Sequence, residues 1–457
     1  MIFDNTLDLI GNTPIVEVSC FGIAPSRLFL KLENQNPGGS IKDRIGLSMI
    51  EDAERRGRIR PGDTVIEATA GNTGLGLALV AAKKGYRLLL VIPDKMSSEK
   101  IRNLKAMGVQ IIMTRSDVEK GHPEYYQDYA KRLSKEIPNA YYIDQFNNPA
   151  NPLAHETSTG PEIWQQMSHQ VDAVVVGVGS GGTIGGLTKY FAKVNPKLEI
   201  VLADPSGSIL VDYVNSGKIG KAGSWLVEGI GEDFVPAQAD FSLVKKAYTI
   251  TDDESFHTCR TLLLREGLLA GSSSGVLISA AIRYAREQKE PKRIVTFVCD
   301  SGNKYLSKIY NDQWLIDHGL IATKSLGDLR DLIVAKYEDK SVVVVAPEDT
   351  LSTAYSRMKL YDISQLPVME GNRIVGILDE SDILLRVTAG DQHTFKQDVR
   401  SCMTNELETL PPRSSIESVI AELKKGLVVI VADEQRFYGL ITRIDLLNYL
   451  RRQMKEQ

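Results

Sequence analysis

Short runs of apolar residues alternate with helical stretches and glycine-rich joints from the start of the chain to about residue 315. Within each run the apolar residues are continuous, which is typical of parallel strands that are covered on both faces. The strands that this pattern predicts are Thr64–Ile66, Arg87–Ile92, Gln110–Met113, Asp172–Gly177, Glu199–Ala203 and Arg293–Val298. Because helical stretches separate them, the sequence predicts a layered α/β fold, either as one large domain or as two lobes with a cleft.

The rest of the chain repeats itself. Gly376–Leu385 reads Gly-Ile-Leu-Asp-Glu-Ser-Asp-Ile-Leu-Leu, and Gly439–Leu447 reads Gly-Leu-Ile-Thr-Arg-Ile-Asp-Leu-Leu. Each copy predicts a strand, a helix, two strands and a helix. So small a unit buries little apolar surface by itself, and we expect the two copies to pack together. The pair is either a structural module that aids assembly or a module with a ligand cleft between its copies.

A chain of 457 residues is long enough for about three domains. The longest apolar runs, near Val342–Ala346 and Leu427–Ala432, predict buried strands and are too short to span a bilayer. We expect a front domain, a linker and a tail, with boundaries at 1–316, 317–339 and 340–457 and with tail repeats at about 340–390 and 398–457.

Composition and charge argue against several classes of function. With 43% hydrophobic and 25% charged residues, the chain has the make-up of an ordinary soluble globular protein. Its net charge of −4 argues against a general nucleic-acid binder, which would carry a basic excess. The first residues lack the basic and apolar regions of a secretory signal. We therefore expect a cytoplasmic protein that binds neither nucleic acid nor a membrane.

Cysteines and histidines are sparse and scattered. Cys20, Cys259, Cys299 and Cys402 form no CxxC pair, which excludes a zinc ribbon and a thioredoxin-type dithiol. The six histidines show neither HxxxH nor HExxH spacing, so we expect no metal site.

The segment Asn36–Arg44 reads Asn-Pro-Gly-Gly-Ser-Ile-Lys-Asp-Arg and leads into a predicted helix. Ser40 is a good N-cap, and Gly57 suits the helix end. The apolar face of this helix would be formed by Ile41, Ile45, Met49 and Ala53. Lys42 then lies in the first turn, where its charge opposes the helix dipole. By itself this pattern favours a solvent-facing lysine whose charge Asp43 offsets.

Three further segments are rich in glycine and hydroxyl residues. Glu67–Gly76 lies between a predicted strand and a helix, where backbone N–H groups suit a carboxylate. Val174–Thr183 runs from a buried strand into a glycine loop that could cradle a phosphate. An acidic residue, Asp204, follows about twenty positions later, so a dinucleotide-binding turn is an alternative. Leu268–Gly275 holds three adjacent serines that could bind a ligand heteroatom or cap a helix.

Taken together and in order, four motifs resemble the β-family of pyridoxal-phosphate enzymes (fold type II). The motifs are Gly11–Pro14, Ser40–Arg44, Thr69–Gly74 and Gly179–Thr183. Cysteine synthases share all four, whereas longer stretches resemble the cystathionine β-synthases. These stretches are Lys95–Lys100, Asp144–His155, Glu228–Gly231 and Glu266–Leu269, the last leading to Ser273. The repeated tail resembles the paired CBS modules that bind adenosyl compounds.

The resemblance implies a fold and a site. The fold is a tryptophan-synthase-β-like α/β fold of two lobes with parallel-rich sheets, followed by a tandem CBS (Bateman) module. Lys42 would hold pyridoxal 5'-phosphate as a Schiff base and move the substrate α-proton. Asn72 would contact the ring hydroxyl, and Ser273 the pyridine nitrogen. The cofactor phosphate would be bound by Gly179, Ser180, Gly181, Gly182 and Thr183. The substrate would be bound by Thr69, Ala70, Thr73, Gln145 and Gly229.

The implied reaction is a β-replacement that condenses serine with homocysteine to cystathionine and water, and releases hydrogen sulfide when cysteine replaces serine. Lys42 would act as the general base and would help to protonate the leaving hydroxyl. A neutral serine at the pyridine nitrogen makes the ring a weaker electron sink than a carboxylate would, which favours expulsion of a β-leaving group. We expect a homo-oligomer, a dimer or a tetramer.

Three departures from the family pattern leave alternatives open. The vertebrate enzymes carry an N-terminal extension that ligates haem, whereas the motifs here begin within the first dozen residues, so we expect no haem. Ala70 stands where cysteine synthases have serine. Some relatives use O-acetylserine in place of serine, and the sequence does not determine which leaving group this chain uses. The alternative function is an O-acetylserine-dependent cysteine synthase with a fused nucleotide-sensing tail. A nucleotide-sensing scaffold with a silent front domain is a third, although Lys42, Asn72 and Ser273 argue against it.

In the tail, Thr442 and Asp445 match the family pattern for a nucleotide ribose site. Asp382 is the partner position in the first copy, where Asp379 replaces the threonine. This asymmetry predicts that one cleft binds better than the other. The implied ligand is S-adenosylmethionine, with AMP or ATP as the alternative.

Overall fold

The computed structural model describes residues 2–69, 71–94, 98–118, 121–322, 325–389, 393–434 and 436–455. The chain divides into two compact units, residues 1–310 and 311–457. Within the described residues, none of the helices is both long and apolar enough to cross a membrane.

The first unit alternates strands and helices. Its strands are β1 (Ile15–Val18), β2 (Arg27–Leu32), β3 (Thr64–Ala68), β4 (Arg87–Pro93), β5 (Gln110–Thr114), β6 (Ala140–Tyr142), β7 (Ala173–Val176), β8 (Glu199–Pro205), β9 (Val244–Ile250) and β10 (Arg293–Val298). Its helices are α1 (Lys42–Arg55), α2 (Asn72–Lys84), α3 (Ser98–Ala106), α4 (Tyr126–Glu136), α5 (Ala150–Ala154), α6 (Gly160–Gln166), α7 (Gly182–Val194), α8 (Leu210–Ser216), α9 (Asp252–Glu266) and α10 (Ser272–Glu287), with a π-helical turn at His155–Thr159 between α5 and α6.

These strands form two sheets, which confirms the predicted two-lobed α/β fold. One sheet has the order β5-β4-β3-β6 and is parallel throughout. The other has the order β1-β2-β10-β7-β8-β9, and in it β1 is the antiparallel edge strand. The central strand β7 is completely buried, and so is most of the sheet around it. Continuous apolar runs in the sequence therefore correspond to strands covered on both faces, as expected.

The N-cap of helix α1 lies one residue later than predicted. Ile41 is the N-cap residue, and Ser40 Oγ accepts a hydrogen bond from the Lys42 N–H (3.2 Å). The helix packs against α2 at two glycines. A Cβ on Gly46 would lie 2.7 Å from the carbonyl carbon of Gly76, and a Cβ on Gly76 would lie 2.7 Å from the Lys42 oxygen. Only glycine at both positions allows the two backbones to lie this close.

The second unit contains both sequence repeats. Its helices are α11 (Asp312–Asp317), α12 (Leu351–Tyr361), α13 (Glu380–Ala389), α14 (Ile416–Lys424) and α15 (Arg443–Lys455), and its strands are β11 (Gln365–Glu370), β12 (Arg373–Asp379), β13 (Thr409–Leu410), β14 (Val429–Ala432) and β15 (Phe437–Ile441). The strands β11 and β12 pair antiparallel, and β13, β14 and β15 form a three-stranded sheet. Leu329, Leu332 and Ile333, which fall within the expected linker, pack into the core of this unit.

One predicted strand is wrong. The run Val342–Ala346 should open the first repeat as β13 opens the second, but only Val345 pairs, forming a single bridge to Val368. Val345 donates to the Pro367 oxygen (3.1 Å) and accepts from the Met369 N–H (2.8 Å). The next bond of a parallel ladder would need an N–H on Pro367, which proline lacks. In the other direction the ladder would need an N–H on Pro347, which is also missing, so the ladder ends after one residue.

We predict that Gly76→Ala destabilises the chain although alanine is the better helix former by about 1 kcal/mol. The added methyl group would meet the Lys42 backbone, and overpacking of this kind costs about 1–3 kcal/mol. Urea unfolding should therefore show a lower free energy of unfolding for the variant. Lys83→Ala, on an exposed position of the same helix, should change it by less than about 0.5 kcal/mol. Unchanged stability of Gly76→Ala would contradict the close approach of α1 and α2.

Candidate active site

A cavity of about 400 Å³ opens in the first unit at the carboxyl ends of parallel strands from both sheets. Thr69 follows β3, Gly177 follows β7 and Cys299 follows β10, and all three line the cavity. This edge of a parallel sheet is where open α/β folds bind their ligands. The volume of the cavity lies within the range for small-molecule sites.

Lys42 is the first residue of α1 and lines this cavity. Burial disfavours its charged form and lowers the pKa of its amine, although Cys299, Asp300 and Glu232 oppose the shift. Within the described part of the chain, no side chain pairs with the Lys42 ammonium group. The structure therefore places an amine of lowered pKa in the cavity, not the solvent-facing lysine that local sequence alone favoured.

The glycine loop before α7 forms one wall of the cavity, and the residues predicted to bind phosphate all line it (Gly179, Ser180, Gly181, Gly182 and Thr183). The loop is closely backed by protein. A Cβ on Gly179 would lie 2.8 Å from the Gly229 oxygen, and a Cβ on Gly182 would lie 1.8 Å from Asn151 Oδ1. Because α7 begins at Gly182, N–H groups at its first turn remain for an anion.

Two polar residues hold the hydroxyl groups of this loop. Asn151 Nδ2 donates to Ser180 Oγ (2.9 Å) and to the Gln145 oxygen (2.8 Å). His155 Nε2 lies 3.2 Å from Thr183 Oγ1, and its Nδ1 lies 3.0 Å from Thr159 Oγ1. Burial lowers the pKa of the His155 imidazole well below its usual value, so the ring is neutral. Both residues therefore position the loop without adding charge.

The segment that opens α2 forms another part of the cavity wall. Thr69 and Thr73 line the cavity with Gln145, and Thr73 Oγ1 donates to Gln145 Oε1 (2.7 Å). Gly229 also lines the cavity, with a φ of +91°. The structure thus brings together the residues predicted to bind the substrate, except Ala70, which lies outside the described residues.

Asn72, at the first turn of α2, is held from both ends of its amide. Its Nδ2 donates to Asp300 Oδ2 (2.8 Å), and its Oδ1 accepts from Lys304 Nζ (2.7 Å). Asp300 Oδ2 also accepts from the Tyr305 hydroxyl (2.8 Å). Asp300 is fully buried, so this network fixes the amide in the cavity wall.

The three adjacent serines have three different environments, and the N-cap of α10 is Gly271 rather than any of them. Ser272 Oγ accepts from the Glu228 N–H (3.0 Å), and Ser274 Oγ accepts from the Cys299 N–H (2.9 Å). Only Ser273 lines the cavity. The structure therefore selects the serine that the family resemblance singled out.

These residues fit pyridoxal phosphate. Within the described residues, an amine without a side-chain partner lies in the same cavity as a glycine loop whose close backing leaves no room for Cβ atoms, and this suits a carbonyl-bearing group with a phosphate. Thr183 and Ser180 would bind the phosphate, Asn72 and Ser273 would contact the ring, and Lys42 would attach it. Within the described chain, no group of three or more His, Cys, Asp or Glu residues could hold a metal ion.

The nucleotide residues predicted in the tail lie at helix starts. Asp445 Oδ2 accepts from the Thr442 N–H (2.7 Å) and from Thr442 Oγ1 (2.6 Å). In the first repeat, Asp382 Oδ2 accepts from the Asp379 N–H and Asp379 Oδ1 accepts from the Asp382 N–H, both at 2.9 Å. The second unit also has a cavity of about 420 Å³, but Asp382, Thr442 and Asp445 do not line it.

Sequence reasoning missed the residues that support the site: Asn151, His155, Asp300 and Lys304. Asn151 and His155 lie in the Asp144–His155 stretch that resembles the cystathionine β-synthases, but the spacing of the histidines bears only on metal binding. The contacts of Asp300 and Lys304 join residues more than two hundred positions apart, so no local pattern signals them.

Known proteins resemble both parts of the chain. The profile of the pyridoxal-phosphate dependent enzymes matches residues 6–300, and that of the CBS domain matches 334–389 and 398–452. A cystathionine β-synthase of Dictyostelium discoideum is 36% identical over 470 residues, covering 100% of this chain and 93% of the relative. Cysteine synthase A of Escherichia coli is 40% identical over 310 residues, covering 67% of this chain and 94% of its own.

A solved structure is similar to the first part of the chain in both sequence and fold. The crystal structure of an O-acetylserine dependent cystathionine β-synthase from Helicobacter pylori has a TM-score of 0.62 and 37% identity. It covers 68% of this chain and 100% of its own.

We predict that Asp300→Ala weakens the binding of pyridoxal phosphate about tenfold or more, because Asn72 loses the acceptor that fixes its amide and a lost buried hydrogen bond costs about 1–3 kcal/mol. Fluorescence titration of the apoprotein with the cofactor measures the affinity. Tyr305→Phe should have a smaller effect, and the exposed Asp253→Asn should have none. An unchanged affinity for folded Asp300→Ala would show that the network does not position Asn72.

Proposed function

The chain belongs to the cystathionine β-synthase family of pyridoxal-phosphate-dependent enzymes, and from that premise we propose that it condenses L-serine with L-homocysteine to L-cystathionine and water. The observation that carries the proposal is the share of the chain that each relative matches. The Dictyostelium discoideum enzyme matches 100% of the chain, including the tail, whereas cysteine synthase A matches 67%.

Pyridoxal phosphate, when bound, would supply the electron sink that makes the α-proton of an amino acid acidic and a β-substituent able to leave. Lys42 would take that proton, because burial lowers the pKa of its amine and leaves it able to act as a base. After the thiol of homocysteine adds to the β-carbon, Lys42 would return the proton to the α-carbon.

The other cavity residues would bind and orient. Thr69, Thr73 and Gln145 would hold the substrate carboxylate at the start of α2, where the helix dipole favours an anion. Ser273, a neutral hydroxyl, would contact the pyridine nitrogen without a carboxylate's charge. The same wall would accept cysteine in place of serine, and the products would then be cystathionine and hydrogen sulfide.

We propose that the enzyme uses pyridoxal phosphate as its prosthetic group and carries no haem. Its cytoplasmic location stays a prediction.

We also propose that the protein is a homo-oligomer, either a dimer or a tetramer. The tail supports this, because large apolar side chains are exposed on its helices: Leu385 of α13 is 69% exposed and Leu447 of α15 is 61% exposed. A second copy could cover them.

The second candidate is an O-acetylserine-dependent cysteine synthase with a nucleotide-sensing tail. The identity of 40% to cysteine synthase A favours it. The structural likeness to an enzyme named O-acetylserine dependent cystathionine β-synthase supports O-acetylserine as the substrate, but not cysteine as the product.

For the tail we propose an adenosyl ligand, S-adenosylmethionine or else AMP or ATP, bound with the help of Thr442, Asp445 and Asp382. The hydrogen bonds of Thr442 to Asp445 hold a hydroxyl and a carboxylate together at the start of α15, an arrangement that suits a ribose. The first copy replaces that hydroxyl with Asp379, and we expect it to bind more weakly.

Three product assays separate the two functions. The holoenzyme is given serine with homocysteine, O-acetylserine with homocysteine, or O-acetylserine with sulfide, and the products are quantified by mass spectrometry. We expect cystathionine from serine. A fourth assay, cysteine with homocysteine, should release hydrogen sulfide. Cysteine as the dominant product, with little cystathionine, would favour the cysteine synthase.

Thermal unfolding tests the tail. Saturating S-adenosylmethionine, AMP or ATP should raise the Tm of the holoenzyme, since a ligand that binds the native state stabilises it. Asp445→Ala should reduce the ligand-induced shift more than Asp382→Ala does, with each shift measured against that variant's own Tm. The exposed Glu417→Gln should leave the shift intact. No change in either Tm or activity with any of the three compounds would refute the ligand proposal.

A further inference from the structure

Glu232 lines the same cavity as Lys42, and the reaction proposed above gives its side chain no role. Its backbone is fixed: the N–H donates to Ser208 Oγ (3.0 Å), and the carbonyl accepts from the Ile209 N–H (3.1 Å). The preceding residue, Gly231, has a φ of +90° and donates to the Val178 oxygen (2.8 Å). These contacts hold the segment so that the Glu232 side chain faces the cavity.

The carboxyl group of Glu232 has neither a hydrogen bond nor an ion pair to any residue in the described ranges. Its Oε1 lies 4.0 Å from the position that a Cβ on Gly179 would occupy, so it reaches the glycine loop. A partly buried carboxyl group without a protein partner, in the cavity that holds the candidate base, is available to a bound substrate.

The charged and titratable groups that face Glu232 come from several elements. Asp233 follows it, Asp204 lies on β8, Lys42 on α1, and Tyr125 and Tyr126 at the start of α4. Burial, Asp233 and Asp204 raise the pKa of Glu232 to about 9, and Lys42 opposes the shift. At neutral pH the group is therefore a protonated acid, able to donate a hydrogen bond and a proton.

We propose that Glu232 is the acid that protonates the hydroxyl group of serine as it leaves the β-carbon. This role rests on the proposed function, and it replaces the expectation that Lys42 protonates the leaving group. Hydroxide is a poor leaving group and needs a proton, whereas acetate leaves as a stable anion. Glu232 would therefore decide which leaving group the enzyme can use.

The proton balance closes over both halves of the reaction. In the first half, the Cβ–O bond of serine breaks, the Glu232 proton joins the departing oxygen, and water and a carboxylate result. In the second half, the thiol of homocysteine forms the C–S bond and its proton passes to that carboxylate. Glu232 ends as it began, and the sum is serine plus homocysteine to cystathionine plus water.

The test compares leaving groups in Glu232→Gln, which keeps the size of the side chain and removes the acid. For cystathionine formation with homocysteine, kcat/KM for serine should fall by about 100-fold or more, a typical contribution of a positioned acid. The value for O-acetylserine should stay within about threefold. Glu232→Asp should recover part of the serine reaction, and the exposed Glu290→Gln should change neither.

Stopped-flow absorbance gives a second measure that a merely structural role would not move. Mixing the holoenzyme with serine alone reports the first half of the reaction without a thiol. Because the protonated form is the active one, this rate should fall as the pH rises through about 9 in the wild type. Glu232→Gln should show a slow rate without that loss, while cofactor titration shows unchanged binding.

Equal loss with both substrates, or full retention of the serine reaction, would overturn the role of Glu232. If the wild type makes no cystathionine from serine, the proposed function fails, and the role falls with it. The wild-type assay thus separates a failure of the proposed function from a failure of this inference.

Discussion

The backbones of α1 and α2 lie against each other at Gly46 and Gly76, and the geometry of the cavity depends on this contact. Lys42 begins α1 and Asn72 begins α2, so the approach of the two helices sets the distance between the candidate base and the substrate loop. The π-helical turn and α7 hold the glycine loop in the wall of the same cavity. The starts of α2 and α7 both line the cavity, and the N–H groups of their first turns make one small volume receptive to two anions.

Burial acts differently on charges with and without partners. Beside the cavity, Arg44 pairs with Glu33 (2.7 Å) and Glu162 (2.7 Å), and Lys31 pairs with Glu162 (2.8 Å). Burial alone would raise the pKa of Glu33, but Arg44 and Lys31 outweigh it and the pKa is lowered. Lys42 and Glu232 face the cavity without such partners in the part of the chain that the structure describes, and burial shifts each toward its neutral form. Burial with partners thus leaves Arg44 and Glu33 charged, whereas burial without them favours the neutral forms of Lys42 and Glu232.

The fold was largely predictable from the sequence because a parallel strand covered on both faces has a continuous apolar signature. The exception, Val342–Ala346, failed because its pairing depended on Pro367, a residue of another strand. The site was predictable only in part. Lys42 alone suggested a solvent-facing residue, and three adjacent serines offered no means of choosing Ser273, since that choice depends on the rotation of α10. Asp300 and Lys304 hold Asn72 across a separation that no local pattern records.

The central claim is that Lys42 is the residue to which the cofactor attaches. Borohydride reduction of the holoenzyme, followed by proteolysis and mass spectrometry, fixes the cofactor to its lysine and identifies the modified peptide. Lys304 is the informative competitor, because it too is buried close to Asn72 and burial lowers the pKa of its amine. We predict reduced cofactor on Lys42 alone. Modification of Lys304, or of no lysine at all, would contradict the assignment of the site.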